Sequence, residues 1–171
     1  MSRSANSISS SRTASNIATS FRRVCVLAAV ALPVGILAQP VEARSVAAAV
    51  GVVAPWDAGC LSYAYGTVTN VCNYTISFDW PLPVDSGGNK RVGVDVLRPT
   101  STSSIGCLAE GLNEETTWVW WSNGGAYSST TSFGASANIL MDGAYVPGGG
   151  QLLVNCQIGP GVRVQVANWP G

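Results

Sequence analysis

The chain has 171 residues, nine basic against nine acidic, no histidine, and only 11% charged residues against 47% hydrophobic ones. Without histidine, histidine-based triads, histidine-containing zinc sites and imidazole proton shuttles are excluded. With so few basic residues and no basic patch, nucleic acid and anionic membrane surfaces are poor partners.

Residues 1–43 read as a cleaved signal peptide. Arg22 and Arg23 precede an apolar run, Val24 to Ala38, and Val41-Glu42-Ala43 places small residues at −3 and −1 of a cleavage site after Ala43. The run is interrupted by Pro33 and Gly35 and is too short to span a bilayer, so no integral membrane segment is expected in the mature chain. Ser20-Phe21-Arg22-Arg23 departs from twin-arginine order, and Asp57 spoils a lipobox at Ala58-Gly59-Cys60. The expected product is a secreted protein, extracellular or periplasmic, with one domain over 44–171. That domain keeps five basic and eight acidic residues, for a net charge of −3.

Cys25 falls in the signal, leaving Cys60, Cys72, Cys107 and Cys156. An even number in an oxidising compartment predicts two disulfides, and the pairing favoured is Cys60–Cys72 as a local staple with Cys107–Cys156 as a long-range one. The phase of Cys156 suggests a buried bridge between two sheets.

After residue 44 the hydrophobic period is 2. Val46 to Ala54 is apolar and reads as a first strand, or as a donor strand added to a neighbouring molecule. Tyr74, Ile76, Phe78 and Trp80 alternate with polar residues, as do Val92, Val94 and Val96. Leu152, Val154, Cys156 and Ile158 share one face opposite Gln151, Asn155 and Gln157, and Val162, Val164 and Val166 alternate with Arg163 and Gln165. Glycine- and proline-rich turns separate these runs at 85–89, 122–125, 147–150 and 159–161. Residues 137–146 and 151–158 are expected to form a hairpin with a tight return into 162–168. Weaker strands at 61–71, 105–109, 116–121 and 128–134 bring the count to about eight. The fold class is therefore all-β, an antiparallel two-sheet β-sandwich stapled by two disulfides.

No cofactor and no metal site are expected, since no close Cys pair or EF-hand spacing occurs. Asp85-Ser86-Gly87-Gly88 resembles the nucleophile segment of trypsin-like serine proteases over four residues only, and without histidine it reads as a turn. A Ser–Lys pair would need Lys90, the sole lysine, which beside that turn is expected to be solvated and a poor base. Carboxylate pairs drawn from Asp79, Asp85, Asp95, Glu110, Glu114, Glu115 and Asp142 leave a small secreted glycoside hydrolase as an alternative.

The six tryptophans are the enriched feature. In a strand, Trp118-Val119-Trp120-Trp121 puts tryptophan on both faces, and flat aromatic faces stack on sugar rings or anchor protein interfaces. Trp169 lies out of phase with Val162–Val166, on the side of Arg163, where the two could stack. Trp56, Trp80 and one of Trp118 or Trp120 are expected in the core. Trp118, Trp120, Trp121, Trp169, Tyr127 and Arg163 are the candidate ligand contacts of a non-catalytic binding or surface-structural module. Its partner would be a glycan or an extracellular protein surface. A protein-binding inhibitor or fibre subunit is the further alternative. Asn73-Tyr74-Thr75 matches a glycosylation acceptor.

Overall fold

The structure, a computed structural model, describes residues 43–170. The segment expected to be a signal peptide therefore lies outside the described residues except for Ala43, which opens the first strand. Among the described residues eleven strands run in chain order: β1 (Ala43–Ala47), β2 (Val52–Val53), β3 (Leu61–Ala64), β4 (Thr67–Asn70), β5 (Ile76–Leu82), β6 (Gly88–Leu97), β7 (Ile105–Leu112), β8 (Val119–Trp121), β9 (Ser136–Val146), β10 (Gln151–Ile158) and β11 (Arg163–Pro170). They form two antiparallel sheets, ordered β3-β4-β11-β6-β9 with β1 also on β11, and β2-β5-β10-β7-β8. The sequence predicts about eight strands. The excess comes from short terminal and edge pieces, while 128–134 supplies only an isolated bridge between Ser128 and Cys107.

The alternation read from the sequence becomes the core directly. Phe78, Trp80, Val92, Val94, Val96, Leu152, Val154, Cys156 and Ile158 are all buried between the sheets, with Phe78 and Trp80 in an edge-to-face contact at 5.8 Å. Some approaches are so close that only glycine fits. A Cβ on Gly51 would lie 2.2 Å from the Phe78 ring, and one on Gly111 would lie 1.9 Å from the backbone oxygen of Tyr145. Pro81 is tolerated in β5 because β2 pairs only with Phe78 and Asp79, so that stretch has a free edge.

Three local expectations are corrected. Residues 137–146 and 151–158 do not pair: β9 lies on β6 in one sheet and β10 lies between β5 and β7 in the other. The Pro147–Gly150 turn carries the chain between layers, and alternation within each strand cannot say which layer it joins. The return from β10 into β11 likewise crosses between sheets. The N-terminal apolar stretch is not one strand. β1 pairs with β11, and β2 pairs with β5 in the opposite sheet, so 43–53 ties the two layers together.

Both disulfides are present, Cys60–Cys72 and Cys107–Cys156. The second does not link the sheets. Cys107 and Cys156 are direct cross-strand partners in one sheet, Cα to Cα 4.1 Å, because β7 and β10 are adjacent there. Lys90 is 5% exposed rather than solvated. β6 begins at Gly88, so Lys90 falls in the inward phase of Val92, Val94 and Val96, and its Nζ donates to Ser86 Oγ at 3.3 Å. No helix among the described residues is long and apolar enough to cross a membrane.

Candidate functional site

The inward residues of β5, β10 and β7 leave their alternates on the outer face of the five-stranded sheet. Cross-strand register sets these in rows. Pro81, Leu153, Glu110 and Trp121 run across β5, β10, β7 and β8, and Asp79, Asn155 and Leu108 form the next row. Ser77, Gln157 and Gly106 form a third.

The connection after β8 adds an aromatic to this face. Asn123 and Gly124 take positive φ (49° and 65°), the left-handed conformation that asparagine and glycine tolerate best, and turn the chain back along β7. Ser122 Oγ accepts the Ala109 N–H at 2.9 Å, and Ser128 exchanges two backbone hydrogen bonds of 2.8 Å with Cys107. Tyr127 is thereby laid over Gly106, where a Cβ would stand 3.3 Å from that of Tyr127. Its hydroxyl donates to Asn155 Oδ1 at 2.7 Å. Asn155 Nδ2 in turn donates to Asp79 Oδ1 at 2.6 Å and Ser77 Oγ at 2.8 Å, and Gln157 Nε2 donates to Ser77 Oγ at 3.1 Å. The result is a fixed polar network with Tyr127 at one side. Trp121, exposed, stands beside Glu110 at the other. The two aromatics flank positions four residues apart on β7, about 13 Å along the strand.

Burial, and secondarily the charge of Asp79, pushes the Glu110 carboxyl above its ordinary value. No lysine or arginine belongs to the strand positions of this face.

The six candidate contacts are dispersed. Trp121 and Tyr127 share the face just described. Trp120 takes the opposite phase and packs edge-to-face on Tyr145 of β9 at 5.7 Å, closing the flank of the sandwich. Trp118 is 68% exposed at the β7–β8 turn, its backbone N–H donating to Asn113 Oδ1 at 2.8 Å. Neither Trp118 nor Trp120 is therefore a core residue, and Trp56, expected inside, is 82% exposed, while Trp80 is fully buried. Trp169 is corrected most sharply. It is 3% exposed and its Nε1 donates to Pro83 O at 3.0 Å. The pairing of β11 with β6 slips between Val164 and Val166, and that bulge inverts the phase, bringing Ala167 and Trp169 inward. Arg163, before the slip, stays exposed in the six-stranded sheet, paired with Thr69 and Leu97, so the two do not share a face.

The carboxylates sort likewise. Only Asp79 and Glu110 share the aromatic face. Asp95 accepts a hydrogen bond from Asn138 at 2.7 Å on the outer face of the other sheet, where Asp142 pairs with Arg91, and Asp85 pairs with Arg44. A groove of about 460 Å³ lies on that other sheet, floored by Gly93 and Leu140 and bordered by Arg91, Asn138 and Asn168. Its lining is mostly carbon and offers no exposed aromatic ring, since Trp169 presents little surface. Among the described residues there is no cluster of three or more potential metal ligands.

Sequence reasoning missed the contribution of Ser77, Asn155 and Gln157. Their signal is the outward phase of β5 and β10, polar at each of these positions, but a polar outward phase is also what any solvated face shows.

No protein-family model matches the chain, and no curated protein matches it. Among solved structures, it is similar to the C-terminal family 6 carbohydrate-binding module of a laminarinase from Zobellia galactanivorans. The identity is 13%, with 76% of this chain and 100% of the module covered and a TM-score of 0.49. It is also similar to a family 35 carbohydrate-binding module from Clostridium thermocellum, with 11% identity, 75% and 97% coverage and a TM-score of 0.49.

Proposed function

We propose that the protein is an exported glycan-binding module whose contact surface is the outer face of the five-stranded sheet, after removal of residues 1–43. One observation carries the reading. Two aromatic rings, Tyr127 and Trp121, flank a row of amide, hydroxyl and carboxylate groups that already hold one another in place. Stacking of sugar C–H faces on such rings, with hydroxyls bonded to a preorganised polar row, costs little side-chain ordering on binding. The contacts are Tyr127, Trp121, Asn155, Asp79, Gln157 and Glu110; Trp118 extends the surface at the β7–β8 turn. Trp169 and Arg163 have no part in it.

The test is titration with a panel of oligosaccharides, followed by tryptophan fluorescence and calorimetry. The expected result is a saturable response to at least one glycan, weakened about tenfold by Tyr127→Ala or Trp121→Ala and unchanged by Arg163→Ala. A panel spanning neutral, amino and acidic oligosaccharides that leaves fluorescence and heat unchanged would end the reading.

The raised Glu110 carboxyl beside Asp79 favours one second reading, slow glycoside hydrolysis with Glu110 as acid and Asp79 as its partner. Product release from the bound oligosaccharide, abolished by Glu110→Gln and by Asp79→Asn, would establish it. Binding with no release leaves the module non-catalytic.

A further inference from the structure

The face assigned to glycan binding has a sign of charge, and both of its chemistries select for the same sign. Asp79 and Glu110 are its ionisable groups, Trp121 is the cross-strand neighbour of Glu110, and Tyr127 is tied to Asp79 through Asn155. Each lysine and arginine of the domain lies elsewhere. Lys90 is buried, Arg91 pairs with Asp142, Arg44 with Asp85, Arg163 is on the other sheet, and Arg98 is turned onto the carbonyls of Ser101, Ser103 and Thr130. A cation is attracted to an aromatic face independently of any carboxylate, so the two rings and the two acids act together. A uronate or sulfate placed here would meet repulsion with no basic side chain to offset it.

We propose that the glycan taken by this face carries free amino groups, as in a glucosamine polymer, with one ammonium seated between the Trp121 ring and the Glu110 carboxylate. The inference rests on the glycan-binding reading. Among the described residues the half-buried Glu110 has no cationic partner, and the upward push on its carboxyl by burial and by Asp79 is what an incoming ammonium would relieve. Asn155 and Gln157, held by their neighbours, would take the sugar hydroxyls, and neutral sugars would bind by stacking and these hydrogen bonds without the ammonium contact.

Glucosamine hexamer, its fully N-acetylated counterpart, cellohexaose and a galacturonate hexamer distinguish the possibilities by calorimetry on the whole exported chain. Conditions are a pH at which the amines are protonated and carboxylates ionised. The expected order places the glucosamine hexamer about tenfold tighter than cellohexaose, with the galacturonate not bound. That advantage should shrink with added salt and disappear in Glu110→Gln, which should bind the glucosamine hexamer and cellohexaose about equally. Equal binding of the glucosamine and cellulose hexamers overturns the inference and leaves the glycan reading standing, as does tighter binding of the galacturonate. Absence of binding by all four removes both. Because Glu110→Gln keeps the side chain's shape, a circular-dichroism melt no lower than the parent's separates lost charge from lost fold.

Discussion

At Glu110, burial and a neighbouring charge act in the same direction, and the consequence for stability has a definite sign. The carboxyl loses its proton at higher pH in the folded protein than in the unfolded chain, because desolvation and Asp79 both disfavour its ionised form. Between those two values the unfolded state binds fewer protons, so this group's contribution to stability falls as pH rises. Glu110→Gln should therefore raise the melting temperature at neutral pH, and the gain should vanish in acid where Glu110 is protonated in both states. Thermal melts over that range measure it. Glycine-specific contacts give a second prediction at this scale. Gly111→Ala forces a Cβ against the Tyr145 backbone and should cost about 1–3 kcal/mol or more, read as a lower denaturation midpoint. It should also disturb the Trp120–Tyr145 contact, which near-ultraviolet circular dichroism would report. Single residues also show where sequence reading stops. The burial of Trp80 follows from its phase with Ile76 and Phe78, whereas Trp56 is exposed because it falls in the 3-10 turn Pro55–Cys60, where period 2 does not apply.

Elements were legible where one period runs unbroken. β5, β6 and β10 carry their buried residues in the phase seen in the sequence. β11 begins in phase and leaves it at a bulge near Gln165 that no glycine marks, which is why Trp169 is misplaced by alternation alone. β9 shows the opposite case. Its bulge is taken up at Gly143, which adopts φ +83° opposite the Lys90–Arg91 step, and a glycine inside a strand is a readable signal. Loop placement depends on side chains that sequence cannot aim. Arg98 donates to the carbonyls of Ser101, Ser103 and Thr130 at 2.6–2.7 Å, joining two loops that hold the end of β7 and the strand-like segment carrying Tyr127. Arg98→Ala should cost on the order of 3 kcal/mol by leaving carbonyls without donors, and should weaken glycan binding through Tyr127. Denaturant unfolding and calorimetry test the two halves separately. Deleting residues 44–47 removes the β1 pairing with β11, so monomer stability should fall. Loss of assembly with no loss of monomer stability would instead revive the donor-strand alternative.

For the whole molecule, two staples of unequal span constrain the unfolded chain. Cys60 and Cys72 are 12 residues apart and Cys107 and Cys156 are 49 apart, for which loop closure gives about 3 and about 4 kcal/mol respectively. The Cys107→Ser/Cys156→Ser pair should therefore lower the unfolding midpoint more than Cys60→Ser/Cys72→Ser. Burial of both sulfurs of the longer bridge in the core adds to the difference, since each serine leaves a hydroxyl to satisfy there. The amino-acid sequence by itself determined the strand class, the buried phases of the unbroken strands and the number of disulfides, because alternation acts locally and cysteine number acts by count. Only the tertiary structure decided which sheet each strand joins, where β11 slips, and that Tyr127, Trp121, Glu110 and Asp79 meet on one face. Those outcomes depend on cross-strand register and on turns between layers, and residues brought together from 79 to 155 carry no mark of their neighbours in linear order.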